Sequence, residues 1–513
     1  MEHKDEQICL ERVYAHTFDV LGDPSQPILP NPSVILESRT NLLPKLPEKG
    51  LGIKRTTKHL LECISPALNR SSLSPNYYGF VTGGITPAGR VAEGLVSLYD
   101  QSPQVHLPDQ TLATNVEDRA LRLLMDLLRF DPSKFSGIFT TGATASNVLG
   151  LACGREQIIN HRLKAHFPAD TEKTVGSLGM LRACRLAGIE QINIYTTMAH
   201  SSLYKASSIL GLGRSCVHDV CGSGAGISFD LSMLEANLAA TSSNSASIVV
   251  VSCAEVNTGL FATSGQEDVQ QLRRLCDKYG AWLHVDAAFG LLGRMLHGLA
   301  EFETVTEGSA GLELADSIAS DAHKLLNVPY DCGFFFCRDP NVAQQVFQNP
   351  NAAYLASKST SDGIQSPLNI GLENSRRFRA LPVYATMMAY GHEGYQDMMK
   401  RQIRFARLVA AYLFDHKAFD LLPRGTYADR HSIDQYVFII VLFRAIDKAV
   451  NEVLVEKINA SSRMYVSGTV HKGQPATRIA VSNWQVQPER DIEIVKAVLE
   501  GIVSKDLSHE LQP

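Results

Sequence analysis

The chain has 513 residues, which is more than one simple core requires, so its length predicts two or three packed units. Hydrophobic residues make up 45% of it and charged residues 20%, and the net charge of −5 gives no basic surface for nucleic acid. The ten cysteines stand singly, without a CxxC pair or a Cys/His cluster at zinc spacing, which indicates reduced thiols and no metal site.

The ends of the chain match no targeting signal. The first dozen residues are rich in charge, and the amino terminus lacks the apolar region of a signal peptide. No apolar run reaches the roughly 18 residues that cross a bilayer. We therefore expect a cytoplasmic protein without a membrane partner.

The pattern of apolar residues changes twice along the chain. Residues 1–85 mix helical periodicity with proline-rich turns such as LGDPSQPILPNP, which predicts a helical arm that wraps a partner surface. Residues 86–385 alternate apolar β-branched runs with amphipathic helices, which predicts a large domain with a mostly parallel sheet covered by helices. Residues 386–513 contain a helix, then strands and a closing helix, so we expect a smaller α+β domain.

Four strand ends of the predicted sheet carry small or polar residues, and ligands of open parallel sheets bind beyond the carboxyl ends of the strands. The first, FTTGATASN, runs from a strand into a helix through Gly142, Ala143 and Thr144. Small residues there would let a phosphate reach the helix amino terminus, where free N–H groups favour an anion. A plain helix cap by Thr144 or Ser146 explains the same residues.

The second and third strand ends carry His200, in MAHSS, and Asp286, in WLHVDAAFG. The imidazole of His200 either lies flat on an aromatic cofactor or caps the following helix. A carboxylate at the end of a buried strand needs a cation or a donor. For Asp286 the partner is a backbone amide, an arginine, or a protonated ring nitrogen for which the small Ala288 leaves room.

The fourth strand end is SDAHKLLN, in which Lys324 follows His323. A lysine after a short strand is usually solvated. Here it accompanies a phosphate-binding turn, an imidazole and a buried carboxylate on one sheet. This combination is typical of a site for pyridoxal 5′-phosphate.

With these positions, the chain resembles the fold-type I, group II pyridoxal-phosphate-dependent amino-acid decarboxylases, the family of aromatic amino-acid and glutamate decarboxylases. Further segments match in the family's order and at similar spacing: NYYGFVTGG (76–84), NVPYDCGFFF (327–336), NAAYL (351–355) and NSRRFRALPVYATMMAYG (374–391). The resemblance implies an α/β fold of the PLP-dependent transferase type. It has a large domain on a mostly parallel seven-stranded sheet and a smaller α+β C-terminal domain.

The resemblance also implies roles for the residues at the strand ends. Lys324 would hold the cofactor aldehyde as a Schiff base, and Asp286 would keep the ring nitrogen protonated so that the ring draws electrons from the substrate. His200 would stack on one face of the ring and Ala288 on the other. Further cofactor contacts would come from residues that meet the phosphate or the ring hydroxyl: Ala143, Thr144, Ser320, His323 and Thr258.

By the same resemblance, Tyr354 matches the tyrosine of a mobile loop that protonates the product at Cα, although a plain surface tyrosine is the alternative. The substrate pocket is less defined: Tyr78, Phe80 and Thr82 are its candidates, and they fit a core equally well. Asp321 stands where aromatic decarboxylases commonly have asparagine. Because a carboxylate repels phosphate, we expect Asp321 to turn away and Ser320 to make the contact.

The sequence thus predicts a carboxy-lyase that converts an L-amino acid into its amine and CO₂. An aromatic amino acid is one candidate substrate. The family further implies a homodimer with the active site at the subunit interface. A PLP-dependent aldehyde synthase, a lyase that cleaves a Cα–Cβ bond and a catalytically silent scaffold of the same fold are the alternatives. The intact Lys324, Asp286, His200 and Tyr354 argue against the scaffold.

Overall fold

The computed structural model describes residues 2–23, 26–168, 173–224, 226–240, 244–349 and 363–507. Its strands are β1 (Ser136–Thr140), β2 (Gln191–Thr196), β3 (Val217–Asp219), β4 (Ser245–Ser252), β5 (Trp282–Asp286), β6 (Ser317–Asp321), β7 (Gly333–Cys337), β8 (Phe419–Leu422), β9 (Ile440–Ala445), β10 (Ser467–His471) and β11 (Gln474–Ala480).

The α-helices up to β7 are α1 (Glu2–Gly22), α2 (Pro32–Thr40), α3 (Ile53–His59), α4 (Pro87–Tyr99), α5 (Ala113–Leu127), α6 (Ala143–His166), α7 (Val175–Leu178), α8 (Met180–Leu186), α9 (Ser201–Ile209), α10 (Leu231–Ala239), α11 (Gln266–Tyr279), α12 (Glu303–Gly308) and α13 (Ala322–Leu325). Those after β7 are α14 (Pro340–Phe347), α15 (Ala380–Asp415), α16 (Arg430–Tyr436), α17 (Lys448–Ala460) and α18 (Pro488–Leu507). Within the described residues, no helix has both the length and the hydropathy to cross a bilayer.

A seven-stranded sheet in the order β1-β7-β6-β5-β4-β2-β3 forms the centre of the larger part. The pairs from β3 to β6 are parallel, whereas β7 runs antiparallel to both of its neighbours. Alternate residues of β4 enter two different apolar clusters, Val249 and Val251 on one side and Ile248 and Val250 on the other. Both faces of the sheet are therefore buried, and the prediction of a mostly parallel, helix-covered sheet is confirmed.

The second sheet is antiparallel, in the order β10-β11-β9-β8, and it has its own apolar core. Tyr78 belongs to that core, because it is fully buried and its ring stacks on Phe405 with centroids 5.6 Å apart. Tyr78 lies near the end of the predicted arm (residues 1–85), so this end of the arm packs as part of the C-terminal unit.

The expected boundary after residue 385 falls inside α15, which packs on α4 and α5 of one part and on α18 of the other. The helix is interrupted at Gly391, with φ 55° and ψ −166°. A positive φ of this kind favours glycine, which has no Cβ. We propose that the division between the two larger units lies at this kink.

Candidate functional site

A cavity of about 380 Å³ lies at the carboxyl ends of the parallel strands. Because parallel strands end at the same edge of a sheet, residues distant in sequence meet there. Its walls comprise Thr141–Ala145 after β1, Met198, His200 and Ser202 after β2, Ser252 and Ala254–Val256 at the end of β4, Asp286, Ala288 and Phe289 at the end of β5, and Asp321, His323, Lys324 and Tyr330 at the end of β6.

The cavity brings together most of the cofactor residues that the sequence indicates. Those that line it are Ala143, Thr144, His200, Asp286, Ala288, His323 and Lys324. Tyr354 lies outside the described residues.

Ser320 and Thr258, which the resemblance implies as cofactor contacts, are not among the residues that line this cavity. Ser320 is fully buried and donates its hydroxyl to the Ala287 carbonyl at 2.7 Å. Neighbouring strand residues point to opposite faces, so Ser320 points away where Asp321 points in. Thr258 donates both its N–H and its hydroxyl to Glu255 Oε2, at 2.8 and 2.9 Å, and so holds a wall residue instead.

The three substrate-pocket candidates are also absent from the walls. Tyr78 lies in the C-terminal core, and Phe80 is 63% exposed. The buried Thr82 donates its hydroxyl to the Gly79 carbonyl at 3.2 Å. Phe289 and Tyr330 are the aromatic residues that line the cavity instead.

Asp321 faces the turn that leads into α6, contrary to the expectation that it turns away. Its Oδ1 accepts the backbone N–H of Ala143 at 2.6 Å, and its Oδ2 lies 2.9 Å from Lys324 Nζ. The carboxylate is only 5% exposed, so the amide and the ammonium group together satisfy it. The turn itself lies against β7, where a Cβ on Gly333 would come within 2.5 Å of Gly142 Cα.

Asp286 is held by an amide that sequence reasoning missed. Nδ2 of Asn147, on α6, donates to Asp286 Oδ2 at 2.9 Å, and Oδ1 of Asn147 lies 3.0 Å from Nε2 of His284. Burial lowers the pKa of His284 to about 3, so its imidazole is neutral. The available signals were spacings: His284 is two residues before Asp286 on the same strand face, and Asn147 is one turn after Ala143 on a helix.

His200 both caps a helix and lines the cavity, so the two readings of this residue are compatible. Its Nδ1 accepts the N–H of Ser202 at 3.2 Å and lies 2.7 Å from Ser202 Oγ. Ser202, in the first turn of α9, thereby fixes the orientation of the His200 ring.

His323 lies beside Lys324 and is also neutral, because burial lowers its pKa. Its Nδ1 accepts the Cys332 N–H at 3.3 Å, and its ring centroid is 4.4 Å from that of Tyr330. The Lys324 ammonium group lies 5.7 Å from the centroid of Phe289, whose ring forms part of the wall. Two aromatic residues therefore border the lysine and its histidine neighbour.

These groups fit pyridoxal 5′-phosphate. The first N–H groups of a helix lack acceptors within it, and the start of α6 presents them to the cavity among small residues. An amine, a carboxylate held by a neutral amide, and an imidazole line the same space. When bound, the cofactor supplies an electron sink for cleavage of a bond at Cα.

Comparison with known proteins agrees with this geometry. The family model of the pyridoxal-dependent decarboxylase conserved domain matches residues 103–426. An L-2,4-diaminobutyrate decarboxylase of Acinetobacter baumannii is 24% identical over 445 residues, 83% of this chain and 78% of that protein. An aromatic-L-amino-acid decarboxylase of Bacillus atrophaeus is 23% identical over 488 residues, 90% of this chain and 89% of that protein.

The fold is shared with solved structures. The crystal structure of Oryza sativa TDC with PLP and tryptamine matches with a TM-score of 0.80 at 19% identity, covering 98% of this chain and 99% of that one. The expected fold-type I architecture, with its seven-stranded sheet and smaller C-terminal part, is confirmed.

Proposed function

Since the chain belongs to the pyridoxal-dependent decarboxylase family, we propose that Lys324 binds the cofactor aldehyde and that Asp286 holds the ring nitrogen protonated. The protein is a carboxy-lyase that uses pyridoxal 5′-phosphate to decarboxylate an L-amino acid. His200 and Ala288 contact the ring in this proposal. The observation that carries it is the single cavity in which Lys324, Asp286 and the start of α6 meet.

The remaining roles follow from position. Ala143 and Thr144 bind the phosphate through their backbone N–H groups at the amino terminus of α6. Neutral His323, next to Lys324, contacts the phosphate or the substrate carboxylate. Tyr354 supplies the proton to Cα after CO₂ has left, as the resemblance implies.

We further propose that the substrate side chain is aromatic or otherwise apolar. The walls of the cavity include Met198, Val256 and Phe289, together with Tyr330, whose phenol stays neutral because burial raises its pKa. Glu255 is a further acidic residue of the walls. The buried guanidinium of Arg478, which donates to the Val256 carbonyl at 2.7 Å, lies near this carboxylate and supports a neutral rather than a cationic substrate.

We propose that the protein works as a homodimer in which a second copy covers α4. That helix exposes four apolar side chains at helical spacing: Val91 (72%), Leu95 (44%), Leu98 (72%) and Tyr99 (68%). The arm adds further exposed apolar residues, among them Phe18 (71%) and Leu46 (92%). Apolar surface of this extent is typical of an interface.

We also place the protein in the cytoplasm. All ten cysteines are unpaired thiols, and seven of them have a pKa raised by burial. Unpaired thiols of this number support a reducing compartment.

The test is to add pyridoxal 5′-phosphate, record the visible spectrum and measure CO₂ and amine from L-tryptophan, L-tyrosine, L-aspartate and L-2,4-diaminobutyrate. We expect a bound-cofactor band and stoichiometric amine from an aromatic acid. Lys324→Ala should lose both, whereas the exposed-lysine control Lys205→Ala should keep them. Amine from L-2,4-diaminobutyrate alone would overturn the substrate class. Aldehyde, ammonia and peroxide in place of amine would indicate an aldehyde synthase.

A further inference from the structure

One face of β5 lies directly on α6. The facing residues are Trp282, His284 and Asp286 on the strand and Gly154, Gly150 and Asn147 on the helix. A Cβ on Gly150 would come within 2.3 Å of the His284 ring, and one on Gly154 within 2.7 Å of the Trp282 ring. The two glycines thus let the helix backbone approach a fully buried imidazole.

The chemistry of the partners fixes the orientation of the Asn147 amide. The ionised carboxylate of Asp286 accepts hydrogen bonds only, so the Asn147 atom 2.9 Å from it is the nitrogen, Nδ2. The amide oxygen then faces Nε2 of His284 at 3.0 Å. Nε2 therefore carries the single hydrogen of this neutral imidazole and donates it to Asn147.

The other side of the imidazole is consistent with that tautomer. His284 Nδ1, which has no hydrogen, lies 2.8 Å from Ser317 Oγ on the neighbouring strand and accepts its hydroxyl hydrogen. Trp282 Nε1, which can only donate, lies 2.9 Å from the same oxygen. The side-chain contacts from Trp282 through Ser317 and His284 to Asn147 are therefore consistent with one set of donors and acceptors.

The same amide also reaches His200. The second hydrogen of Asn147 Nδ2 is directed to Ser202 Oγ at 3.1 Å. Ser202 in turn gives its hydroxyl hydrogen to His200 Nδ1, at 2.7 Å. Because Nδ1 of His200 also accepts the backbone N–H of Ser202, the ring hydrogen lies on Nε2. One amide thus connects two side chains of the cavity.

We propose that His284 is a positioning residue, which orients Asn147 so that Asp286 stays ionised and His200 keeps its proton on Nε2. The inference rests on the proposed function, because it takes these two side chains as cofactor contacts. If His284 could not donate, the Asn147 amide would lose the partner that holds its oxygen away from Asp286. If the Asn147 amide turned its oxygen toward Asp286, that oxygen would disfavour the ionised form of the Asp286 carboxylate.

The matched variants are His284→Gln and His284→Met, because both side chains fill similar space and only glutamine can donate to Asn147. Three quantities are measured: the melting temperature of the apoenzyme, the dissociation constant of pyridoxal 5′-phosphate, and the pH midpoint of the holoenzyme's visible absorbance. We expect His284→Met to weaken cofactor binding by about tenfold or more and to shift the midpoint. His284→Gln should stay within about threefold of the wild type.

If His284 had only a structural role, both variants would melt at a lower temperature. Their cofactor affinities would then be equal, and so would the pH midpoints of their visible absorbance. That result would overturn the proposal. If His284→Met does not fold, Asn147→Leu removes the donor to Asp286 itself, and wild-type cofactor affinity in that variant would refute the proposal equally. Failure of the wild-type protein to bind the cofactor would instead count against the proposed function.

Discussion

Asp321 accepts the backbone N–H of Ala143 at 2.6 Å, and this amide belongs to the helix start that the cofactor phosphate would use. The same carboxylate holds Lys324 at 2.9 Å. An anion of the protein thus lies at the anion site, and it restrains the amine that must react with the cofactor. Cofactor binding is therefore expected to compete with the contacts of Asp321.

We expect Asp321→Asn to bind pyridoxal 5′-phosphate several-fold more tightly, because the variant removes a negative charge next to the phosphate. Its apoenzyme should melt at a lower temperature, since the buried ion pair with Lys324 is lost. Equilibrium dialysis and thermal denaturation measure the two effects. Asp118→Asn, which removes one charge of an exposed pair with Arg122, is the control and should change neither quantity appreciably. Weaker cofactor binding in Asp321→Asn would show that the Asp321 carboxylate instead favours binding of the cofactor phosphate.

The neutral His284 predicts loss of stability in acid. Burial lowers its pKa from 6.5 to about 3, so between these values the unfolded chain binds more protons than the folded one. The free energy of unfolding should therefore fall as the pH drops below about 6.5, with a contribution of up to about 1.4 kcal/mol per pH unit. Urea denaturation at a series of pH values measures this slope. His284→Gln, which cannot titrate, should show a shallower slope, and equal slopes would contradict the assignment.

The helix glycine that faces His284 predicts a steric effect. In Gly150→Ala the new Cβ would lie 2.3 Å from the imidazole, so the ring or the helix must move. We expect a loss of about 1–3 kcal/mol in the free energy of unfolding, together with weaker cofactor binding. Gly501→Ala is the matched control, because that helical glycine has no atom within 4 Å of a new Cβ. It should gain up to about 1 kcal/mol.

The exposed face of α4 predicts the effect of a charge at the proposed dimer interface. Leu98→Glu would place a carboxylate among apolar residues that a second copy covers, so we expect a monomer in light scattering and a loss of activity. Leu181→Glu is the control, since Leu181 is an 85% exposed leucine on a different helix, α8. A Leu98→Glu protein that remains dimeric would place the interface elsewhere.

The sequence by itself determined the parts that depend on local pattern. Alternating apolar strands and amphipathic helices fixed a mostly parallel sheet, and its strand ends identified Lys324, Asp286 and His200 as cavity residues. The carboxyl ends of parallel strands lie at one edge of the sheet, so these positions lie close together regardless of loop conformation.

Only the tertiary structure decided the contacts that depend on strand register and on the direction in which each side chain points. It placed Ser320 on the far side of β6 and Asp321 in the cavity, because neighbouring strand residues alternate between faces. It also put Tyr78 into a second core. The bond between Asn147 and His284 joins residues 137 positions apart, and it exists because glycines on α6 let the helix approach β5. Such close approach is a property of packed surfaces, which the local pattern of a sequence does not determine.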